Sequence, residues 1–283
     1  MDTFFFESKK SQCHLTVNIG ELVPGSLLRG KVVLITGSTD GIGLCIARKC
    51  ILQGAKVIVT GRNEGKLRAA KEKLGENCYI APLDVTQVAS FSTFLENISE
   101  QVGRIDCLVN NAGISLHEGS FQNVTENSWD QQMNTNLKGP FFLTQAWLNY
   151  YEKKRMTSGR IVMMASDTSG MGSTLPYGLT KVAISSFTRG LAKHIIRKGI
   201  RINAIAPGTT KTKMTDDFTH GEIVRESTEG YRVLFPDEIA EICVFLLSDA
   251  STCISGNVFG CTEANICFDN ASNAYWGEQE TNP

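Results

Sequence analysis

Tyr177 and Lys181 are the residues whose types and spacing most directly suggest chemistry. They lie four positions apart in the stretch SDTSGMGSTLPYGLTK, residues 166–181, and on a helix such a pair shares one face. A free tyrosine has a pKa of about 10 and is a poor base at neutral pH, but a nearby ammonium favours the phenolate and lowers that pKa. The pair is therefore a candidate acid–base device, although a single Tyr-x-x-x-Lys also occurs by chance.

A glycine-rich turn is the second candidate. The apolar run KVVLIT (31–36) leads into TGSTDGIG, residues 36–43, and a helical pattern follows at once. Its three glycines permit a tight turn and a close approach of phosphate to the backbone, and the helix N-terminus offers free N–H groups. The alternative is an ordinary glycine turn between a strand and a helix.

The elements that must position these residues alternate along the chain. Short β-branched runs predict strands at 31–36, 55–61, 78–84, 105–111, 160–166, 201–207 and 256–261. Amphipathic patterns predict helices at 42–54, 65–74, 87–102, 126–152, 176–198 and 236–249. Strands that are apolar on both faces and alternate with helices indicate an α/β fold, a Rossmann-like doubly wound parallel sheet with ligands beyond the C-terminal strand ends.

The chain is predicted to form one domain over residues 30–283, preceded by an N-terminal arm over 1–29, because no linker or composition shift divides it. The polar segment at about 209–235 lies beside the predicted binding edge. A segment of that length in such a place is more often a mobile lid than structural filler.

Composition narrows the classes of ligand and compartment. The 283 residues include 28 Lys and Arg against 29 Asp and Glu, so a small molecule is a better expected ligand than nucleic acid. We find no signal-peptide pattern and no apolar stretch of about 20 residues for a membrane span. The nine cysteines form no C-x-x-C pair, which predicts free buried thiols in a reducing cytoplasm and no metal site.

Five motifs occur in an order that resembles the short-chain dehydrogenases/reductases. T-G-x-x-x-G-I-G stands at the first strand–helix turn, NNAG (110–113) ends the fourth strand, and MNTNLKGPFF (133–142) follows it. The serine, tyrosine and lysine of 166–181 come next, and then APGTTKTKM at 206–214. The match covers roughly residues 30–262. The resemblance implies an oxidoreductase that transfers a hydride between a nicotinamide cofactor and a secondary alcohol or ketone.

The resemblance also assigns roles to matching positions. Tyr177 would be the acid/base, and Lys181 would hold the cofactor ribose and, with the positive nicotinamide ring, lower the pKa of Tyr177. Ser166 would hydrogen-bond the substrate oxygen, and Asn136 would anchor a water that passes protons to Lys181. The cofactor would contact Gly37, Ser38, Thr39, Asp40, Gly41, Ile42, Gly43, Arg62, Asp84, Val85, Asn110, Tyr177, Lys181, Pro207, Thr210 and Thr212.

Two other serines remain candidates for the serine role. Ten residues separate Ser166 from Tyr177, fewer than the family usually has, so the intervening loop is shortened and the substrate mouth is expected to be reshaped. Ser169 and Ser173 lie in that loop. Ser166 is favoured because it ends the predicted strand RIVMMAS, where a rigid element aims it. Pro176 suits the first turn of the helix that carries Tyr177.

The end of the second strand bears on the choice of cofactor. Enzymes that prefer NAD usually place an acidic residue there to bind the ribose 2′-hydroxyl, whereas this chain has Gly61 followed by Arg62. A guanidinium pairs naturally with a 2′-phosphate, so NADP(H) is favoured over NAD(H). Asp40 in the glycine turn weakens this preference, since many NADP-dependent relatives carry a basic residue nearby.

Several other residues each have two possible roles. Asp84 is expected to face the adenine ring or to cap the next helix. Of Asn110 and Asn111, one is expected to contact the cofactor and the other to tie strands together. His117 is a candidate for the substrate mouth, although a lone loop histidine is usually solvated.

Two rival functions stay open: a cofactor-binding regulator that performs no chemistry, and an isomerase or lyase that keeps its cofactor bound. Steroid, sugar, acyl-thioester and small ketone substrates are all compatible with the sequence. A homodimer or homotetramer built on the long helices is expected, although the C-terminal end GNVFGCTEANICFDN lacks the Asp-Gly-Gly of many relatives.

Overall fold

The computed structural model describes residues 3–7, 14–18, 25–170, 172–216 and 232–264. Within the predicted N-terminal arm, strands β1 (Thr3–Glu7) and β2 (His14–Asn18) pair antiparallel as a hairpin. The sequence predicted no strand there. The remaining strands form one sheet, so residues 30–264 as described contain a single α/β unit.

The sheet has seven parallel strands in the order β5-β4-β3-β6-β7-β8-β9. Their bounds are Val32–Ile35, Lys56–Gly61, Cys78–Pro82, Cys107–Asn110, Gly159–Met164, Ile200–Pro207 and Val258–Cys261 for β3 to β9. The strand order reverses between β3 and β6, and such a switch point opens a crevice at the C-terminal strand ends. The predicted doubly wound, Rossmann-like sheet is confirmed.

Seven helices cover the two faces of the sheet in the described part of the chain. Their bounds are Gly41–Leu52, Glu64–Leu74, Phe91–Val102, Glu126–Met133, Gly139–Lys153, Pro176–Ile195 and Pro236–Leu247 for α1 to α7. One core packs α3, α5 and α6 on one face, and the other packs α1, α2 and α7 on the opposite face. The central strands are buried on both sides, as their unbroken apolar runs require.

The predicted helix at 126–152 contains an irregular turn. Helix α4 ends at Met133, residues Asn134–Lys138 form one turn of π-helix, and α5 begins at Gly139. A π-turn inserts one residue into the helical repeat and re-aims the side chains that follow, and such turns are frequent at functional sites. This one carries Asn136, which is 1% exposed.

The two ends of the predicted lid lie side by side. The Lys211 N–H donates to the Leu234 carbonyl and the Leu234 N–H donates to the Thr209 carbonyl, both at 2.8 Å. The middle of the lid, 217–231, lies outside the described residues. The described ends therefore fix where the segment leaves and rejoins the domain, directly beyond β8.

Three general features bear on the expected ligands. No helix among the described residues is long and apolar enough to cross a membrane. In the same residues no group of three or more His, Cys, Asp or Glu side chains is placed to hold a metal ion. Seven of the nine cysteines are described, all as free thiols, and four of these are buried. Burial raises the pKa of the Cys107 thiol to about 12, so it is protonated and unreactive at neutral pH.

Candidate active site

A cleft of about 760 Å³ opens beyond the C-terminal ends of the strands, and Tyr177 and the glycine turn both line it. Most of the predicted site residues contribute to its wall. Those that do are Gly37, Thr39, Asp40, Gly41, Ile42, Gly43, Arg62, Asp84, Val85, Ser166, Tyr177, Lys181, Pro207, Thr210 and Thr212. Ser38, Asn110 and Asn136 lie behind this lining.

The glycine turn is held tightly against the end of β6. Gly37 has a φ of +61°, and a Cβ there would lie 2.8 Å from Ala112 Cα, so only glycine fits without a shift. The Asn111 side-chain amide donates to the carbonyls of Thr36 at 2.9 Å and Gly37 at 3.0 Å. This turn presents the N-terminus of α1 to the cleft, which suits the diphosphate of a dinucleotide.

Two predicted cofactor contacts face away from the cleft. The Ser38 hydroxyl donates to the Ile35 carbonyl at 2.7 Å and accepts from the Thr60 N–H at 3.0 Å. The Asn110 amide donates to Thr144 Oγ1 at 2.9 Å, between the sheet and α5. Successive strand residues point to opposite sides, so Asn110 enters the core while Asn111 reaches the cleft. The structure therefore places Asn111 at the cleft and buries Asn110, the predicted cofactor contact, in the core.

Charged groups gather beside the end of β4. Arg62 and Lys66 line the cleft with Asp40 and Lys213. The Lys213 ammonium donates to Asp40 Oδ2 at 2.6 Å, and this hydrogen bond holds the pKa of the Asp40 carboxyl below its usual value. Lys213 comes from the segment beyond β8, so the pair joins the glycine turn to the described start of the predicted lid.

Asp84 lines the cleft and also orders the turn that follows β5. Its Oδ1 accepts from the Thr86 N–H at 2.9 Å and from the Thr86 hydroxyl at 2.8 Å. This is an Asx turn, which leads into α3 without capping its first helical residue. The predicted contact with the adenine ring is compatible with this position, whereas the alternative role as the cap of the next helix is wrong, because the caps of the two following helical segments are Gln87 and Ser90.

Tyr177 and Lys181 lie at the start of α6, whose first residue is Pro176 as the sequence predicted. The Lys181 ammonium lies 5.4 Å from the centroid of the Tyr177 ring and donates to the Met164 carbonyl at the end of β7, at 2.9 Å. Burial lowers the pKa of Lys181 to about 8. The helix thus delivers a hydroxyl and a desolvated ammonium to the same part of the cleft.

The pKa of Tyr177 differs from the sequence-based expectation. Burial raises it, the nearby Asp167 carboxylate adds to the rise, and a hydrogen bond with Ser166 lowers it by less. In the protein alone, Tyr177 is therefore held as the protonated phenol. A protonated phenol is the form that can donate a proton.

Ser166 is the only one of the three candidate serines on the cleft wall among the residues that the structure describes. Its hydroxyl donates to Asp167 Oδ1 at 2.7 Å. Ser169 bonds back to the Ser166 carbonyl at 2.5 Å, and Ser173 bonds to Leu175 at the start of α6. The rigid end of β7 thus aims Ser166 into the cleft, while the other two hydroxyls order the shortened loop.

Asn136 holds the loop that follows β6. Its Oδ1 accepts from the Ile114 N–H and its Nδ2 donates to the Ile114 carbonyl, both at 2.8 Å. A Cβ on Gly113 would lie 3.5 Å from Asn136 Oδ1 and 3.6 Å from Lys181 Nζ, so a glycine separates the two side chains. Both polar atoms of the Asn136 amide thus bind the backbone of Ile114, and the predicted role of Asn136 in anchoring a water stays a prediction.

Gln132 is a buried residue that supports the loop after β6, and the sequence did not single it out. It is fully buried, donates to Glu118 Oε1 at 2.5 Å, and accepts from the Leu116 N–H at 3.3 Å. Gln132 lies near the end of α4 and Asn136 lies in the π-turn that follows, and the two amides bind successive parts of the same loop. The same spacing rule that singled out Tyr177 and Lys181 would have revealed the pair.

The loop held by these amides forms one side of the cleft mouth. His117 lines the cleft, as the sequence allowed, with a left-handed φ of +49°. Its Nε2 lies 3.0 Å from the Met214 carbonyl, next to Lys213. The segment at 213–214 therefore contacts both the glycine turn and the loop after β6, on opposite sides of the cleft.

A parallel sheet with a glycine turn at its switch point and a Ser/Tyr/Lys set in the adjoining cleft defines a dinucleotide-binding oxidoreductase. Residues 31–223 match the family described as short chain dehydrogenase. The chain belongs to that family, and it is an oxidoreductase that binds a nicotinamide cofactor.

Curated relatives share most of their length with this chain. It is 35% identical over 233 residues to the 3-oxoacyl-[acyl-carrier-protein] reductase FabG of Vibrio harveyi, covering 81% of this chain and 94% of that protein. The enzyme of the same name from Escherichia coli (strain K12) is also 35% identical, over 80% of this chain and 93% of its own length. An uncharacterized oxidoreductase of Staphylococcus epidermidis is 34% identical, over 79% and 94%.

A solved structure shares the fold. The 3-ketoacyl-(acyl-carrier-protein) reductase of Brucella melitensis, crystallised with NADH, has a TM-score of 0.78 and 27% sequence identity to this chain. The likeness covers 84% of this chain and 99% of that one.

Proposed function

We propose that this protein is an NADP(H)-dependent reductase that interconverts ketones and secondary alcohols. The observation that carries the proposal is the meeting of Tyr177, Ser166 and Lys181 in one cleft whose opposite wall is the glycine turn. The names of the relatives, reductases of 3-oxoacyl groups, support a ketone as the reducible group.

The chemistry follows from where the three side chains lie. When bound, NADP(H) supplies or accepts the hydride at the carbonyl carbon. Tyr177 donates its phenolic proton to the carbonyl oxygen, so that one hydride and one proton convert the ketone to an alcohol. When a ketone binds, the Ser166 hydroxyl turns from Asp167 to donate to the same oxygen and keeps it within reach of Tyr177.

Lys181 acts on Tyr177 through charge. Once the proton has left, the phenolate is stabilised by an ammonium one helical turn away. The Lys181 ammonium is held against β7 by the hydrogen bond that it donates to the Met164 carbonyl. We propose that the same ammonium binds the cofactor ribose from this position.

The preference for NADP(H) rests on the charges beside β4. Three cations, Arg62, Lys66 and Lys213, line this part of the cleft with one carboxylate, Asp40. Asp40 on its own would repel a 2′-phosphate. Its ion pair with Lys213 compensates this negative charge, so Asp40 no longer argues against NADP(H). A Cβ on Gly61 would lie 3.1 Å from Thr39 Cγ2, so an acidic side chain there would require Thr39 to move. A ribose 2′-phosphate fits this arrangement better than a 2′-hydroxyl.

We further propose that the segment 209–235 covers the substrate and that the protein is a homo-oligomer. The described start of the segment already lines the cleft.

The proposed oligomer rests on an apolar face of two helices. Phe141 on α5 and Val182 on α6 are 38% exposed each, and the Phe141 ring packs 4.8 Å from that of Phe187. Such an apolar face on two long helices suits a dimer or tetramer, which sedimentation of wild type and Phe141→Glu would test: the variant is expected to sediment as a smaller species.

The function is tested by following oxidation of NADPH and of NADH with a panel of ketones that includes acetoacetyl-coenzyme A. We expect ketone-dependent oxidation and a higher kcat/KM for NADPH than for NADH. Cofactor binding without turnover on any ketone would contradict the proposal and favour a regulator. Turnover that leaves the cofactor's absorbance unchanged would favour an isomerase or lyase.

A further inference from the structure

The wall of the cleft next to Ser166 is made of three consecutive polar side chains. Ser166, Asp167 and Thr168 all line it, directly after β7. Of these, the mechanism above uses only Ser166. Asp167 and Thr168 stand where the substituents of a bound carbonyl must lie, because the carbonyl oxygen has to reach both Ser166 and Tyr177.

Asp167 brings an uncompensated negative charge to this wall. Its Oδ1 accepts from the Ser166 hydroxyl at 2.7 Å and from the Thr168 N–H at 2.8 Å. Among the described residues, Asp167 has no ion-pair partner, and its second carboxylate oxygen accepts no hydrogen bond. The charge is close enough to the phenol to raise the pKa of Tyr177. A group with an available proton is therefore favoured beside the carbonyl, and an anionic group is repelled.

Thr168 adds a hydroxyl that lacks a partner. In this structure its Oγ1 is closed off from solvent and makes no hydrogen bond, so a rotation of the side chain that turns the hydroxyl to the cleft gains a partner group at the loss of none. A threonine hydroxyl both donates and accepts. A neutral hydroxyl on the substrate matches the pair, since it can donate to Asp167 while accepting from Thr168, whereas an ammonium can only donate.

We propose that Asp167 and Thr168 select ketones that carry a hydroxyl on the carbon next to the carbonyl. This inference rests on the proposed function and names its substrate class. It follows that the enzyme prefers an α-hydroxy ketone to the ketone of the same size without the hydroxyl, and discriminates against an α-keto acid.

The test compares hydroxyacetone, butanone and pyruvate, because the first two differ only by a hydroxyl in place of a methyl. For the wild type we expect kcat/KM for hydroxyacetone to exceed that for butanone by about tenfold or more, with pyruvate poorest. Asp167→Asn should relax the discrimination against pyruvate by about tenfold, since it removes the charge and keeps the size. Thr168→Val should lower the hydroxyacetone-to-butanone ratio several-fold. Asp130→Asn, which removes an exposed acid on α4, should leave both ratios unchanged.

A binding measurement tests the wall without turnover. Thermal stabilisation by propane-1,2-diol and by butan-2-ol, with NADPH present so that neither alcohol can be oxidised, should favour the diol in the wild type and not in Asp167→Asn or Thr168→Val. Equal preferences in the wild type, or preferences unchanged in both variants, would overturn the inference. Failure of every ketone to turn over, with the diol still preferred, would instead count against the proposed function.

Discussion

The Lys181 ammonium lies 5.4 Å from the centroid of the Tyr177 ring, and both residues project from the first two turns of α6. Lys181 is 5% exposed, and among the described residues no carboxylate pairs with it. The protein therefore holds a desolvated positive charge beside the phenol. The buried charge lowers the stability of the folded protein, and in the proposed reaction the same charge stabilises the phenolate of Tyr177.

Lys181→Met is expected to stabilise the protein without cofactor while removing its activity. The pKa of Lys181 in the folded protein is about 8, below 10.5 for a free lysine. Between these values the unfolded chain binds more protons, so stability rises with pH, and the full cost of the buried charge is present below about pH 8. Allowing for the lost hydrogen bond to Met164, we expect a gain of about 1–2 kcal/mol at neutral pH.

Urea unfolding at neutral pH and near pH 10 measures this gain. The gain in stability should shrink at the higher pH, because the wild-type lysine is then neutral in the folded protein and no longer buries a charge. Lys193→Met, at an exposed position of the same helix, serves as the control and should show no such pH dependence. A Lys181→Met protein that is less stable than the wild type by the same amount at both pH values would contradict the assignment.

Arg62→Ala is expected to raise the KM for NADPH by about tenfold and to leave the KM for NADH nearly unchanged, because only NADPH loses an ion pair.

Asp40→Asn should act in the opposite direction and lower the KM for NADPH. Asparagine keeps the helix cap to Gly41, but it releases Lys213 from the ion pair. Steady-state kinetics at low salt, where exposed charges act most strongly, is the measurement. Equal changes for both cofactors would refute the 2′-phosphate site.

The Gln132–Glu118 hydrogen bond predicts a rescue by exchange. Gln132→Glu places two carboxylates against each other under the loop after β6, and kcat/KM for the ketone should fall by about tenfold. The double variant Gln132→Glu/Glu118→Gln restores an amide–carboxylate pair and should recover to within about threefold of the wild type. Cofactor affinity should change little in either variant.

The control for this exchange is Gln131→Glu, which adds the same charge at the exposed neighbouring position. It should match the wild type. If the double variant is no better than Gln132→Glu alone, Gln132 supports the helix and does not position the loop.

The layers of this fold were predictable because parallel strands buried on both faces leave unbroken apolar runs. KVVLIT and RINAIAP gave β3 and β8 to within a residue or two. The π-turn at Asn134–Lys138 was not predictable, since a one-residue insertion barely disturbs a helical pattern.

Within the site, the motif residues were found and several partners were not. The exchange of Asn110 and Asn111 depends on which residue ends β6, a boundary that apolar runs define poorly. Lys213 meets Asp40 across 173 residues of sequence, and no local pattern reports such a contact. Asp167 went unnoticed because a loop acid next to a serine looks like solvated surface until β7 points it into the cleft.

Tyr177→Phe tests the central claim most directly, because it removes one hydroxyl and leaves the ring that packs beside Lys181. The measurement is ketone-dependent oxidation of NADPH in the wild type and the variant, together with the affinity of each for NADPH. We predict that turnover falls by about a thousandfold or more while the dissociation constant of NADPH stays within about twofold. A variant that binds NADPH and reduces ketones at close to the wild-type rate would show that Tyr177 is not the proton donor.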